Sequence, residues 1–263
     1  MESLPENQKL PVVVGVDGPP TKFPIVDVAA AEAEHHHVPL IIVHAWPGRY
    51  SNVPRDHAVS PRPEQGRHLL DIAVQRAEHV APGVPVRAEL SDDTAAETLV
   101  RWSRYARLLV VGHRDDPGIR RGWGSTAAYL THHSACPLLV QRGFRLRQGP
   151  VVLAASGRTT ATVVAAAEAA DRAGCRLVAV HVRAGSEPVT WPDVPADRVL
   201  IEERDVPYTL DRASRRGRLL VAGQGRKGWL AEMLYSMVGT TVGGLQACPV
   251  LFVPPQAGQE PAR

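Results

Sequence analysis

The chain is poor in the residues that announce most kinds of chemistry. Aromatic residues make up only 5%, so its cores must be built from Val, Leu, Ile and Ala. Its three cysteines, Cys136, Cys175 and Cys248, form no CxxC pair and leave an odd count. That fits a reducing cytoplasm and provides no metal framework. No stretch approaches the roughly 18 apolar residues that a membrane span needs. The opening "MESLPENQK" is polar and acidic-leaning, unlike a signal peptide. Charge of one sign is also missing: 30 basic and 27 acidic residues interleave to a net +3, which argues against a nucleic-acid stripe. The one basic cluster, "QRGFRLRQG" (141–149), reads as a linker. A cytoplasmic protein with no membrane or nucleic-acid partner is expected.

What the chain has is repetition. "PVVVGVDG" (11–18) returns as "PVVLAASG" (150–157), and "LIIVHAW" (40–46) as "LVAVHVR" (177–183). "RLLVVGHR" (107–114) pairs with "RLLVAGQG" (218–225), and "ACPLLVQ" (135–141) with "ACPVLFV" (247–253). Four matches in the same order define a duplicated domain. Each matched segment is a short β-branched run without alternation, as in a parallel strand covered on both faces. "FPIVDVAAAEAEHH" and "TTATVVAAAEAADRAG" supply a helix after each first strand, the second stopping at Gly174. Strand, helix and strand in succession predict a doubly wound α/β sheet.

The copies are unequal. His44 and His181 lie 137 residues apart but Leu108 and Leu219 only 111, so the second copy is shorter by about 26. The first copy holds there a helical pattern, "GRHLLDIAVQRAEHV" (66–80), and a strand candidate, "VPVRAEL" (84–90). The second keeps the strand candidate "DRVLIEE" (197–203) after a Pro-rich connection. It is expected to lack one covering helix.

Ligands of open α/β sheets bind outside the carboxyl ends of the strands. In the first copy those ends are Gly15 to Asp17, His44 with Ala45, and Gly112 onward. Asp17 has two readings: a carboxylate that accepts hydrogen bonds from a ribose or adenine, or a helix cap. The loop "GHRDDPGIRRGWGST" (112–126) also has two. Gly112, Gly118, Gly122 and Gly124 with Ser125 and Thr126 precede a helix, which makes an anion site, or else a connecting loop with Ser125 as N-cap. No GxxxxGK[ST] exists, and "GQGRKG" (223–228) is a weak GxGxxG with no acid about 20 residues on. The histidines at 35–37 and 132–133 sit on helices facing different ways, which suits helix ends better than metal ligation. No nucleophile–base–orienter set is present, and no enzymatic activity is expected.

The order "VVVGVDG … IIVHAW … LLVVGHR … GST … CPLLV" resembles the universal stress protein family, and the duplication resembles its tandem-domain members. The resemblance implies two tandem doubly wound five-stranded parallel-sheet domains of the Rossmann-like, adenine nucleotide alpha hydrolase-like type, at 10–142 and 149–254, the second short of a helix. Residues 255–263 would form a mobile tail. Many family members bind ATP through G-x2-G-x9-G-[S/T]; others bind no nucleotide. Carried over residue by residue, Gly112 is the first glycine, Asp115 stands at the second, and Gly124 with Ser125 end the pattern one residue early. Asp17 matches the first-strand aspartate, Ala45 the position whose backbone meets adenine, and Thr126 follows the terminal pair. The second copy carries Ser156, Gly223, Arg226, Ser236 and Met237 at the matching places, so no ATP is expected there.

The resemblance implies a regulatory stress-response protein, with Gly15, Asp17, Ala45, Gly112, Gly124, Ser125 and Thr126 forming an ATP or AMP site in the first domain. Asp115 and Asp116 oppose the phosphates, unless Arg114, Arg120 and Arg121 offset them or the acids help hold magnesium. The alternatives are a nucleotide-free interaction scaffold and a weak ATPase. The last strands would lie at the edges through which family members associate, giving an internal pseudo-dimer or a homodimer.

Overall fold

A computed structural model describes residues 9–17, 24–46, 63–112, 126–141, 148–155, 160–182, 198–202, 210, 212–223 and 248–255. The chain divides into two compact units. The first comprises Met1–Gly112 with His133–Cys136; the second comprises His113–His132 with Pro137–Arg263.

The first unit is built on β1 (Val12–Gly15), β2 (Leu40–Ala45), β3 (Val86–Ser91) and β4 (Leu108–Gly112) in the order β3-β2-β1-β4. All three pairings are parallel, with Val12 opposite both Leu40 and Leu108. The β1, β2 and β4 runs are buried because α1 (Pro24–His36), α2 (Pro63–Val80) and α3 (Ala95–Ser103) cover the sheet. Right-handed crossovers place α1 and α2 on one face, and α3, which returns across β1 to β4, on the other. Asp27 on α1 receives both Nε and Nη2 of Arg76 on α2, at 2.5 and 2.6 Å. A bidentate pair of this kind fixes the register of two helices 49 residues apart in sequence. The acid holds the Arg76 guanidinium above its usual range by hydrogen bonding, against a smaller opposing effect of burial.

Entry into α3 is set by Thr94 as N-cap. Thr94 Oγ1 accepts from the Glu97 N–H at 3.2 Å and donates to the Glu97 carboxylate at 2.8 Å.

The second unit contains β6 (Val151–Ala155), α5 (Thr160–Arg172), β7 (Leu177–Val182), β8 (Arg198–Glu202), β9 (Leu219–Gly223) and β10 (Val250–Val253). It also holds β5 (Leu138–Gln141) and most of α4 (Thr126–His133). Its strand order is β5-β10-β9-β6-β7-β8. The five strands from β10 to β8 are parallel, and β5, the last strand of the first repeat, runs antiparallel to β10.

The two α/β units therefore repeat one winding, as the duplicated sequence predicts. They differ in how their first helix is covered. In "VAAAEA", shared by 28–33 and 164–169, Val28 is 6% exposed beside α2, whereas its counterpart Val164 is 48% exposed. Glu32 is likewise buried and Glu168 exposed. An uncovered α5 is what a missing helix leaves; the connection at 183–197 itself lies outside the described residues.

Candidate functional site

Strand order in the first unit reverses between β1 and β4, because β2 and β3 are added on one side of β1 and β4 on the other. The carboxyl ends of β1 and β4 flank that point, where open sheets leave a crevice. Gly15 ends β1, Asp17 follows two residues on, Ala45 ends β2 and Gly112 ends β4. Four of the seven expected residues thus sit on one edge of the sheet, drawn from three strands. Asp17 and Gly112 are exposed, while Gly15 and Ala45 are half-buried. Thr126 opens α4 in the second unit. Gly124 and Ser125 lie outside the described residues, as do Asp115 and Asp116.

Local packing explains part of this composition. A Cβ on Gly15 would stand 2.8 Å from Cδ1 of Leu99, a buried residue of α3, so the end of that side chain would have to shift. Gly112 is different. Among the described residues its Cβ would meet only Ile25 Cδ1, at an ordinary 3.6 Å, so none of them demands glycine at the end of β4.

Two further contributions come from His44, expected only as a residue at a strand end, and from Gly66, which the sequence did not single out. His44 places Nδ1 2.9 Å from the Val16 carbonyl. A carbonyl only accepts, so Nδ1 carries the proton and the ring ties the end of β2 to the end of β1, just before Asp17. Gly66, in the first turn of α2, is buried. A Cβ there would come within 2.8 Å of Leu90, 3.2 Å of His44 and 3.5 Å of Trp46. Its missing side chain lets α2 seat directly on the ends of β2 and β3. The signal was available as a lone glycine inside an amphipathic helical pattern.

Hydrogen bonds and an ion pair tie the edge together. Trp46 N–H donates to Ser91 O at 2.7 Å, and Val16 N–H to Val43 O at 2.9 Å, extending the ladder beyond the strands. Ser91 Oγ bonds Thr98 Oγ1 at 2.8 Å in the interior. Asp93 is engaged by Arg101 at 2.7 Å. Among the described residues no group of three His, Cys, Asp or Glu side chains converges as a metal site.

The strands and crossovers define a doubly wound, Rossmann-like α/β fold, repeated in one chain. Comparison with known proteins agrees. Residues 10–142 match the model of the universal stress protein family. A universal stress protein of Mycobacterium tuberculosis is 31% identical over 289 residues, covering 93% of this chain and 96% of its own. One from Mycolicibacterium smegmatis is 28% identical over 297 residues, covering 93% and 97%. The crystal structure of a universal stress protein from Archaeoglobus fulgidus superposes with a TM-score of 0.69 at 13% identity, covering 93% of this chain and 96% of that one. The chain belongs to the universal stress protein family.

Proposed function

We propose that this protein is a regulatory stress-response protein whose first repeat binds an adenine nucleotide, ATP or AMP, while the second repeat binds none. The observation that carries the reading is the placement of Gly15, Asp17, Ala45 and Gly112 at the carboxyl ends of β1, β2 and β4, around the point where strand order reverses. In this reading Asp17 accepts from the ribose or base, the backbone at Ala45 meets the adenine edge, and Gly112 with Gly124, Ser125 and Thr126 cradles the phosphates. Magnesium would enter on the triphosphate, with Asp115 and Asp116 the side chains available to meet it. The second repeat has Ser156 in place of Asp17, and Arg226 and Met237 at the positions matching two phosphate-loop residues, where their side chains would fill space that a triphosphate needs.

The proposed domains are 10–142 and 149–254. Pairing of β5 with β10 supports an internal pseudo-dimer, in which two repeats of one chain associate as two chains would. Among the described residues no helix is long and apolar enough to cross a membrane.

The test is to denature the purified protein, chromatograph what it releases, and titrate ATP with magnesium into the stripped protein by calorimetry. Retained nucleotide or heats at micromolar ATP, lost in Asp17→Ala with Ser125→Ala, support a one-site sensor. No nucleotide and no heat at millimolar ATP overturn it in favour of a nucleotide-free scaffold, the reading that Asp115 at the second-glycine position favours. Release of ADP over time would instead mark a weak ATPase.

A further inference from the structure

The repeats also diverge at the opposite edge, where their strands begin. In the second unit Arg176 stands just before β7 and Arg218 just before β9, with Pro150 between them before β6. Val151 N–H donates to the Arg176 carbonyl at 3.0 Å, and Arg218 N–H to the Pro150 carbonyl at 2.9 Å. The three residues are therefore level across adjacent strands, and the two arginine backbones are about 10 Å apart. Gly149 lies against the Arg216 carbonyl, which brings Arg216 to the same edge. Arg172 closes α5, and Arg218 Nη1 donates to the Ala173 carbonyl at 2.9 Å, joining that helix end to the strand starts. Arg212 lies in the helical segment at 212–214 and Arg215 in the turn that follows it, before Gly217. Among the described residues only Asp171 brings an acid to this end of α5, with Glu168 one turn back.

The first unit keeps Arg101, Arg104 and Arg107 at the places of Arg212, Arg215 and Arg218, but has no arginine at those of Arg172, Arg176 and Arg216. Through the shared "RLL", Arg216 matches Tyr105; through "VPL" and "CRL", Arg176 matches Pro39. Arg212 matches Arg101, which is already paired with Asp93. Arg172, Arg176, Arg212 and Arg216 are exposed. Between Asp171 and Arg176 runs a groove of about 560 Å³ floored by Gly149, Pro150, Ala170 and Cys175.

We propose that this edge is a docking surface for an acidic, extended segment of a protein partner, with carboxylates on the guanidinium groups and small side chains in the groove. Arginine chemistry suits the carboxylates of an acidic peptide, and the extent of the edge selects a peptide over a nucleic acid. Arginine forks pair with carboxylates bidentately. The charged edge spans only about three strands, short for a phosphate track. The second repeat is thus the partner-binding half of the molecule.

The test uses the full chain and a fluorescein-labelled peptide of alternating Glu and Ala, about 12 residues long, followed by anisotropy at about 0.05 and 0.5 M salt. Oligothymidylate of equal length and vesicles with anionic headgroups serve as competing probes. The expected result is peptide binding that weakens with salt and falls about tenfold or more in Arg176→Glu with Arg216→Glu. Arg104→Glu with Arg107→Glu in the first unit should leave it within about twofold. Arg216→Tyr with Arg176→Gln provides a milder pair, the first change introducing the residue that the first repeat carries, should the charge reversals fail to fold. No peptide binding, equal loss from the first-unit variants, undiminished binding in both second-unit pairs, or tighter binding of oligothymidylate or vesicles would each overturn the proposal.

Discussion

The Cβ that Gly149 lacks would lie 2.7 Å from the carbonyl oxygen of Arg216. The obstacle is backbone, and Gly149 also has φ +128°, a conformation that side-chain-bearing residues rarely adopt. Gly149→Ala must therefore separate the start of β6 from the turn before β9, costing on the order of 2 kcal/mol or more. The expected outcome is a fall in Tm of about 5 °C or more by calorimetry. An unchanged Tm would mean that the two segments do not touch in solution.

Thr162 carries a hydroxyl with no hydrogen-bond partner although the residue is only 3% exposed. Its counterpart in the first repeat, aligned through "VAAAEA", is Val26, 0% exposed and the same shape without the hydroxyl. Thr162→Val is therefore expected to stabilise the protein by about 1 kcal/mol, seen as a higher urea midpoint at unchanged slope. A lower midpoint would show that the hydroxyl is satisfied in solution.

These two residues show what a sequence exposes and what it hides. The strands were legible because uninterrupted runs such as "VVVG" and "RLLVV" have no amphipathic alternative, and duplication confirmed them. The edge carrying Gly15, Asp17, Ala45 and Gly112 followed from those strands and from the family resemblance. The positive φ of Gly149, the pairing of Asp27 with Arg76 and the bond from His44 to Val16 depend on contacts between distant segments, which local pattern does not encode. The arginine edge was hidden for the same reason. Arg172, Arg176, Arg216 and Arg218 are scattered in sequence and gathered only by the parallel register.

Burial also controls thiol chemistry. Cys136 is 5% exposed, and desolvation pushes its pKa from 9.0 up to about 11, against hydrogen bonding from Ser134 and from backbone groups that lowers it. The sign follows from which state holds the proton. Below pH 9 the thiol is protonated in the folded and unfolded chains alike. As pH rises from there towards 11, the unfolded chain loses its proton first, so stability falls. The loss attributable to Cys136 is on the order of 2–3 kcal/mol by pH 11. Urea unfolding of the wild type and Cys136→Ala should show the wild-type advantage shrinking across that window. Peptide-resolved alkylation at pH 8 should modify half-buried Cys175 well before Cys136. A constant advantage from pH 8 to 11 would refute the shift.

Gly112 separates packing from ligand binding, because none of the described residues needs its missing side chain. Its Cβ would rest at van der Waals distance from Ile25 Cδ1, and it is not among the described glycines with positive φ. Gly112→Ala should therefore shift stability by no more than about 0.5 kcal/mol. If the end of β4 approaches phosphates closely, the same methyl group must weaken ATP, with a smaller effect on adenosine, which has no phosphates to displace. Calorimetry with both ligands on the stripped protein reads this directly. Equal weakening of ATP and adenosine would move Gly112 away from the phosphates, and unchanged binding of both would remove it from the site. Gly15→Ala is the contrasting variant. Its Cβ presses on Leu99 at 2.8 Å, so it should lower stability by about 1–3 kcal/mol whether or not a nucleotide is present.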